Sequence, residues 1–108
     1  MLKILSGTAA SRGKVTGIAR VLKDESQFSL FKVGDILVTK QTSPAWTPLF
    51  LAASAVVTEI GGSLSHAALV AREYSIPAVV GVKNATKILK NGLKIMIDGD
   101  KGTVEIND

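Results

Sequence analysis

Residues 55–82 read AVVTEIGGSLSHAALVAREYSIPAVVGV. Two compact β-branched runs, Ala55–Ile60 and Ala78–Val82, bracket a segment of small and apolar residues. Short continuous apolar runs between turn signals mark strands buried on both faces, as in parallel sheets. Between them, Gly61-Gly62 makes a turn, and Ser63 or Ser65 caps a helix running to about Tyr74. Ser75-Ile76-Pro77 ends that helix, because a residue before proline avoids helical backbone. Strand, helix and strand make a βαβ unit with a parallel pair, which sets the architecture for the rest of the chain.

Outward from this core, Val15–Leu22 alternates and reads as a strand, and Ile36–Thr39 as a shorter one. Asp24–Phe31 is polar and irregular. Residues 41–44 form a loop, and Trp46–Ala53 a short helix with Thr47 as N-cap and Pro48 as its first helical residue. Ala85–Leu89 is a helical turn or two. Leu93–Ile97 and Thr103–Ile106 alternate, and the turn Asp98–Gly102 joins them as a hairpin. The expected class is α/β, a parallel βαβ core with flanking antiparallel strands, in one domain spanning 1–108.

The totals agree. A chain of 108 residues with 46% hydrophobic and 20% charged residues folds as one globular unit without staples. There is no cysteine, so disulfides and thiolate metal sites are excluded. The formal charge is +4, yet the lysines and arginines are scattered and aromatics make up only 5%. Nucleic acid is therefore not expected as a partner. No apolar run approaches the roughly 20 residues that span a bilayer, and the first residues lack the apolar region of a signal peptide. No membrane association and a cytoplasmic location are expected.

His66 is the only histidine. It falls in the first turn of the central helix, just beyond the C-terminal end of a parallel strand, where α/β units bind ligands. The first N–H groups of a helix lack intrahelical partners and carry partial positive charge, which suits a phosphate. The same field disfavours imidazolium and leaves His66 neutral and nucleophilic near pH 7. A phosphoryl group on the ring would lie near those N–H groups and the hydroxyls of Ser63 and Ser65. Residue types alone favour the plainer alternative, a surface or half-buried histidine with glycines that serve only the turn. One histidine lacks the three or four ligands of a zinc site, so no metal is expected, and no G-x-S-x-G elbow is present. Arg72 reads as structural, pairing with Glu59 or Asp98. Trp46 reads as a core anchor and Asp98-Gly99-Asp100 as a turn. Thr42, Ser43 and Thr47 reach a phosphate if their loop faces the histidine.

The stretch GGSLSHAALVAREYSIPAVVGV strongly resembles the phosphohistidine signature of the PEP-utilising enzymes, which include pyruvate phosphate dikinase, phosphoenolpyruvate synthase, Enzyme I and rifampin phosphotransferase. The likeness extends to GTAASRGKVTGIARVL, GDILVTKQTSPAWTPLF and GLKIMIDGDKGTVEI, in order and spacing, and so covers most of the chain. It implies a swivelling β/β/α mobile domain in which His66 is the phosphorylated residue. Gly61, Gly62, Ser65 and Arg72 match motif positions around it, and together with Ser63, whose hydroxyl lies near the helix start, they are the expected phosphate-binding residues. The implied function is a phosphoryl-carrier domain of a phosphotransferase, taking the group from PEP or ATP and passing it on; the alternative is a docking module of the same fold without turnover. The implied partners are an ATP-grasp nucleotide-binding domain, a PEP-binding barrel domain, or both, in cis or in trans. ATP and Mg would sit on the partner, with no cofactor on this domain. Leu64 departs from the threonine usual two residues before the histidine in dikinases, which puts regulation by phosphorylation there in doubt. The full enzymes' nucleotide-binding apparatus is not in this chain, so it is not a complete enzyme alone.

Overall fold

The computed structural model describes residues 2–107, so the expected span of 1–108 reaches one residue beyond the described residues at each end. Eight strands form a mixed sheet in the order β1-β8-β7-β3-β4-β5-β6-β2. They are β1 (Leu2–Ser6), β2 (Thr8–Ser11), β3 (Lys14–Val21), β4 (Ile36–Thr39), β5 (Ala55–Thr58), β6 (Ala78–Val80), β7 (Lys94–Asp98) and β8 (Thr103–Asn107). The helices are α1 (Thr47–Ala52), α2 (His66–Glu73) and α3 (Ala85–Ile88), with 3-10 turns at Glu25–Leu30 and Pro44–Trp46.

The parallel half is β3-β4-β5-β6, in which Val38 lies opposite Val57 and Val57 opposite Val79. β4, β5 and β6 are buried at every residue. Their side chains feed two apolar clusters, one on each face. Leu37, Val56, Ala78 and Val80 pack with Trp46, Phe50 and the alanines of α2. Ile36, Val38, Val57 and Val79 pack with Ala85, Leu89, Ile95 and Ile97. Burial on both faces explains why these strands read as unbroken apolar runs. The antiparallel half is β3-β7-β8-β1. The β7–β8 hairpin turns at Asp98, whose Oδ1 accepts from the N–H groups of Asp100 and Lys101. The expected α/β class, with a parallel βαβ core and flanking antiparallel strands, is the observed one.

Three local expectations change. Residues 2–11, unassigned from sequence, form β1 and β2. They are one strand bent at Gly7, stitched to β8 before the bend and to β6 after it. Gly7 sits at that corner because a Cβ there would lie 2.5 Å from the Val80 carbonyl oxygen and 2.7 Å from Cγ2 of Val82. Thr47 is not an N-cap: the 3-10 turn Pro44–Trp46 runs straight into α1, Thr47 is its first residue, and its hydroxyl makes no capping bond. The flanking strands β5 and β6 are two residues shorter than the apolar runs suggested, because Glu59–Ile60 and Gly81–Val82 turn away. Trp46 is a core residue, with its ring edge-on to Phe28 at 4.9 Å between centroids.

Candidate functional site

β5 ends at Thr58, and the chain turns through Gly61–Ser65 into α2. Gly61 has φ of +125°, and a Cβ there would come within 2.9 Å of both Cβ and Oγ of Ser65. Only glycine fits such a turn without strain. Gly62 is exposed, with open space for 4 Å around the place a Cβ would take, and its carbonyl accepts from Ser65 N–H at 3.0 Å. Of the two serines, Ser65 is the N-cap: extended backbone, with Oγ accepting from Ala68 N–H at 3.4 Å. Leu69 N–H then makes the first full helical bond, to the Ser65 carbonyl. This leaves the N–H groups of His66 and Ala67 without an intrahelical acceptor.

His66 is the first residue of α2, and both ring nitrogens face threonine hydroxyls. Nδ1 lies 2.7 Å from Oγ1 of Thr42, and Nε2 lies 3.4 Å from Oγ1 of Thr47. Phe50, one turn along α1 from Thr47, meets the ring edge-on, with centroids 5.9 Å apart at 84°. Thus the 41–47 loop does face the histidine, through Thr42 and Thr47. Ser43 is exposed and forms no capping bond. Burial of the half-covered ring lowers the His66 pKa from its ordinary 6.5, so the imidazole is neutral at pH 7. A hydroxyl donates or accepts. If Thr42 accepts from Nδ1–H, the lone pair is on Nε2, beside the more distant Thr47 hydroxyl.

Arg72 does not pair with Glu59 or Asp98. Its guanidinium donates from Nη1 to the Ala10 carbonyl at 2.8 Å and from Nη2 to the Ser63 carbonyl at 2.6 Å. It ties the glycine loop to β2 across the length of α2. The carboxylates are engaged elsewhere. Glu59 accepts from the N–H of Thr86 at 2.8 Å and from its hydroxyl, covering the start of α3; the hydroxyl bond is the main reason its pKa is lowered. Asp98 holds the hairpin turn and pairs with Lys14 at 3.8 Å.

The structure therefore brings together His66, Gly61, Gly62, Ser63 and Ser65, with Arg72 beneath them. It adds Phe50, to which sequence reasoning assigned no role; its i+3 spacing from Thr47 is the only sequence signal. Among the described residues no three His, Cys, Asp or Glu side chains cluster to hold a metal ion, and no helix is long and apolar enough to cross a membrane.

Comparison with known proteins bears on this geometry. Residues 31–102 match the family model described as PEP-utilising enzyme, mobile domain. The chain is 49% identical over 100 residues to a rifampicin phosphotransferase from Bacillus cereus, covering 93% of this chain and 11% of that protein. It is 46% identical over 103 residues to a probable phosphoenolpyruvate synthase from Staphylothermus marinus, covering 94% of this chain and 12% of that one. Among solved structures, an Enzyme I protein superposes with a TM-score of 0.63 at 32% identity, covering 71% of this chain and 32% of that chain. The chain thus spans about an eighth of the length of the curated relatives it matches. With its histidine at the head of α2 and a mixed sheet behind it, the chain belongs to the PEP-utilising enzyme mobile-domain family.

Proposed function

We propose that this domain is the phosphohistidine carrier of a PEP-utilising phosphotransferase. Nε2 of His66 attacks a phosphoryl group presented by PEP or ATP on a partner domain, in cis or in trans. The Nε2–P bond forms as the donor's P–O bond breaks, and the electron pair leaves with the donor oxygen. Positive charge that develops on the ring is shared through Nδ1–H with the Thr42 hydroxyl. The reverse chemistry then delivers the group to an acceptor at a second site. Phosphoryl transfer asks mainly for positioning and charge stabilisation, which suits a small rigid carrier.

The observation that carries this reading is the pair of hydrogen-bonding contacts on one neutral ring: Nδ1 held at 2.7 Å, Nε2 only loosely at 3.4 Å. A core histidine satisfied at both nitrogens would not leave its lone pair at the head of a helix. In this reading the N–H groups of His66 and Ala67, which lack intrahelical acceptors, and the exposed backbone of Gly62 and Ser63 receive the phosphoryl oxygens. Gly61 and Ser65 shape that loop. Arg72 acts as a positioning residue through the Ser63 carbonyl. An ATP-grasp domain or a PEP-binding barrel domain would hold the donor, with Mg accompanying ATP there.

Intact-mass spectrometry at neutral to mildly alkaline pH tests the reading. Wild type and His66→Ala are incubated with PEP or ATP and a relative's catalytic remainder that phosphorylates a known carrier. One acid-labile phosphoryl group on wild type alone is expected. No label from either donor would leave a docking module as the better description.

A further inference from the structure

The chain segments that enclose His66 carry no charge. The chain carries 13 basic and 9 acidic residues, yet none falls within 41–58 or 60–71. Among the described residues, the hydrogen-bonding and aromatic groups against the His66 ring come from the first stretch, Thr42, Thr47 and Phe50, and His66 itself heads α2 in the second. The single acidic residue between them, Glu59, is bound to Thr86. Lys40, whose charge acts on Glu59, and Arg72, tied to two backbone carbonyls, border these segments.

The same segments expose large apolar side chains. Leu64, two residues before His66, is 80% exposed; Leu51, one helical turn beyond Thr47, is 73% exposed; Leu69, one turn beyond His66, is 49% exposed. They come from the loop and the two helices that build the histidine's surroundings. Isolated surface leucines need no explanation, but three on the loop and the two helices that hold one half-buried histidine, in segments with no charge, form a rim.

We infer that Leu51, Leu64 and Leu69 form the docking rim of the carrier, and that its occupant is the mouth of a phosphoryl-handling protein domain whose own rim is apolar and uncharged. This rests on the phosphocarrier reading of His66 and names the chemistry of its partner. Charge complementarity selects the occupant. A charged rim closed on these leucines would lose its water and find no counter-charge, at a cost of several kcal/mol per ion. The cations that stabilise the moving phosphoryl group, which these segments do not contain, then lie recessed inside the partner's mouth. The leucine rim seals the two surfaces so that those charges act in a dry site. Docking that buries no ions is also insensitive to salt, so the carrier binds through shape and apolar contact rather than through its net charge.

The test uses the whole chain and, as probe, the Bacillus cereus rifampicin phosphotransferase from which its own matching segment has been removed. Binding is followed by amide NMR shifts on the labelled chain. The rim assignment expects shifts centred on Leu51, Leu64 and Leu69, and affinity changing less than about twofold between roughly 0.1 and 0.5 M NaCl. It also expects Leu64→Lys and Leu51→Lys each to weaken binding at least about tenfold, while Val33→Lys, at the opposite end of the parallel strands, changes nothing. Unchanged spectra for each variant away from its substitution establish that the fold is kept. No measurable binding, shifts centred elsewhere, strong salt dependence, or concentration-dependent self-association through these leucines would each overturn the assignment. Labelling of His66 by phosphoramidate, which needs no docking, is measured in parallel. A chain that docks through the rim but never carries phosphate refutes the carrier reading and leaves the rim; one that is phosphorylated by the probe with the leucine variants unaffected refutes the rim alone.

Discussion

The hydroxyl of Thr42 lies 2.7 Å from Nδ1 of His66, although 24 residues separate them in the chain. The contact spans the two crossover segments of the parallel sheet: Thr42 follows β4, and His66 follows β5, the neighbouring strand. Both loops leave from the same ends of their strands, so register, not sequence proximity, sets the pair.

Removing this hydroxyl should therefore release the ring's orientation. Thr42→Val is expected to slow phosphorylation of His66 by about tenfold, the worth of one hydrogen bond to a ring that becomes charged. Thr42→Ser should restore most of the rate. Initial rates by intact mass, together with ¹⁵N shifts that report the imidazole tautomer, check both. A slow Thr42→Val with an unchanged tautomer would mean the hydroxyl acts only sterically.

His66 should titrate below 6.5, because burial opposes the charged ring. In the proposed transfer the neutral ring is the nucleophile, so the phosphorylation rate is expected to be flat above neutrality and to fall on the acid side with a midpoint below 6.5. The stability effect has the same direction. The unfolded chain binds the proton near pH 6.5 and the folded chain only at lower pH, so the domain is most stable above 6.5. That stability is lost as pH falls through the folded value. An NMR titration of the ring, and melting curves of wild type and His66→Asn across roughly pH 5–8, report these two effects separately.

Gly61→Ala and Gly62→Ala are adjacent substitutions with opposite forecasts. At Gly61 the backbone has φ of +125° and the new methyl meets Ser65 at 2.9 Å. A loss of about 1–3 kcal/mol in thermal stability is expected, with impaired phosphorylation. At Gly62 no atom lies within 4 Å, so stability stays within about 0.5 kcal/mol of wild type.

Arg72→Lys keeps the charge but cannot bridge two carbonyls with one planar fork. We expect a loss of about 1 kcal/mol and a phosphorylation rate reduced several-fold through the loosened Ser63 loop. Equal amide exchange at Ser63 and Leu64 in both proteins would sink the positioning role.

The βαβ core was legible because independent signals coincide there. β-branched runs, a serine cap, a proline stop and the glycine pair all mark the same boundaries, and β5, α2 and β6 lie within about two residues of them. The strands at 2–11 were not legible. LKILSGTAAS alternates poorly, and its structure comes from partners at 78–80 and 103–107, distant in sequence. Thr47 carried the signature of an N-cap, yet its hydroxyl is turned to His66, a tertiary contact no local rule contains. For Arg72, a carboxylate was the natural guess from charge; its real partners are two peptide carbonyls, and every residue has one.

The bend at Gly7 has a thermodynamic consequence. One strand is stitched to β8 on one side of the bend and to β6 on the other, so it ties the two halves of the sheet together at a second place besides β3. Gly7→Val, which forces a branched side chain against the Val80 carbonyl, should loosen that second seam, visible as faster amide exchange in β1 and β2 while β5 and β7, joined through β3 and β4, stay protected. With both seams intact the two halves of the sheet hold one register, and the loop that carries His66 keeps its alignment to both.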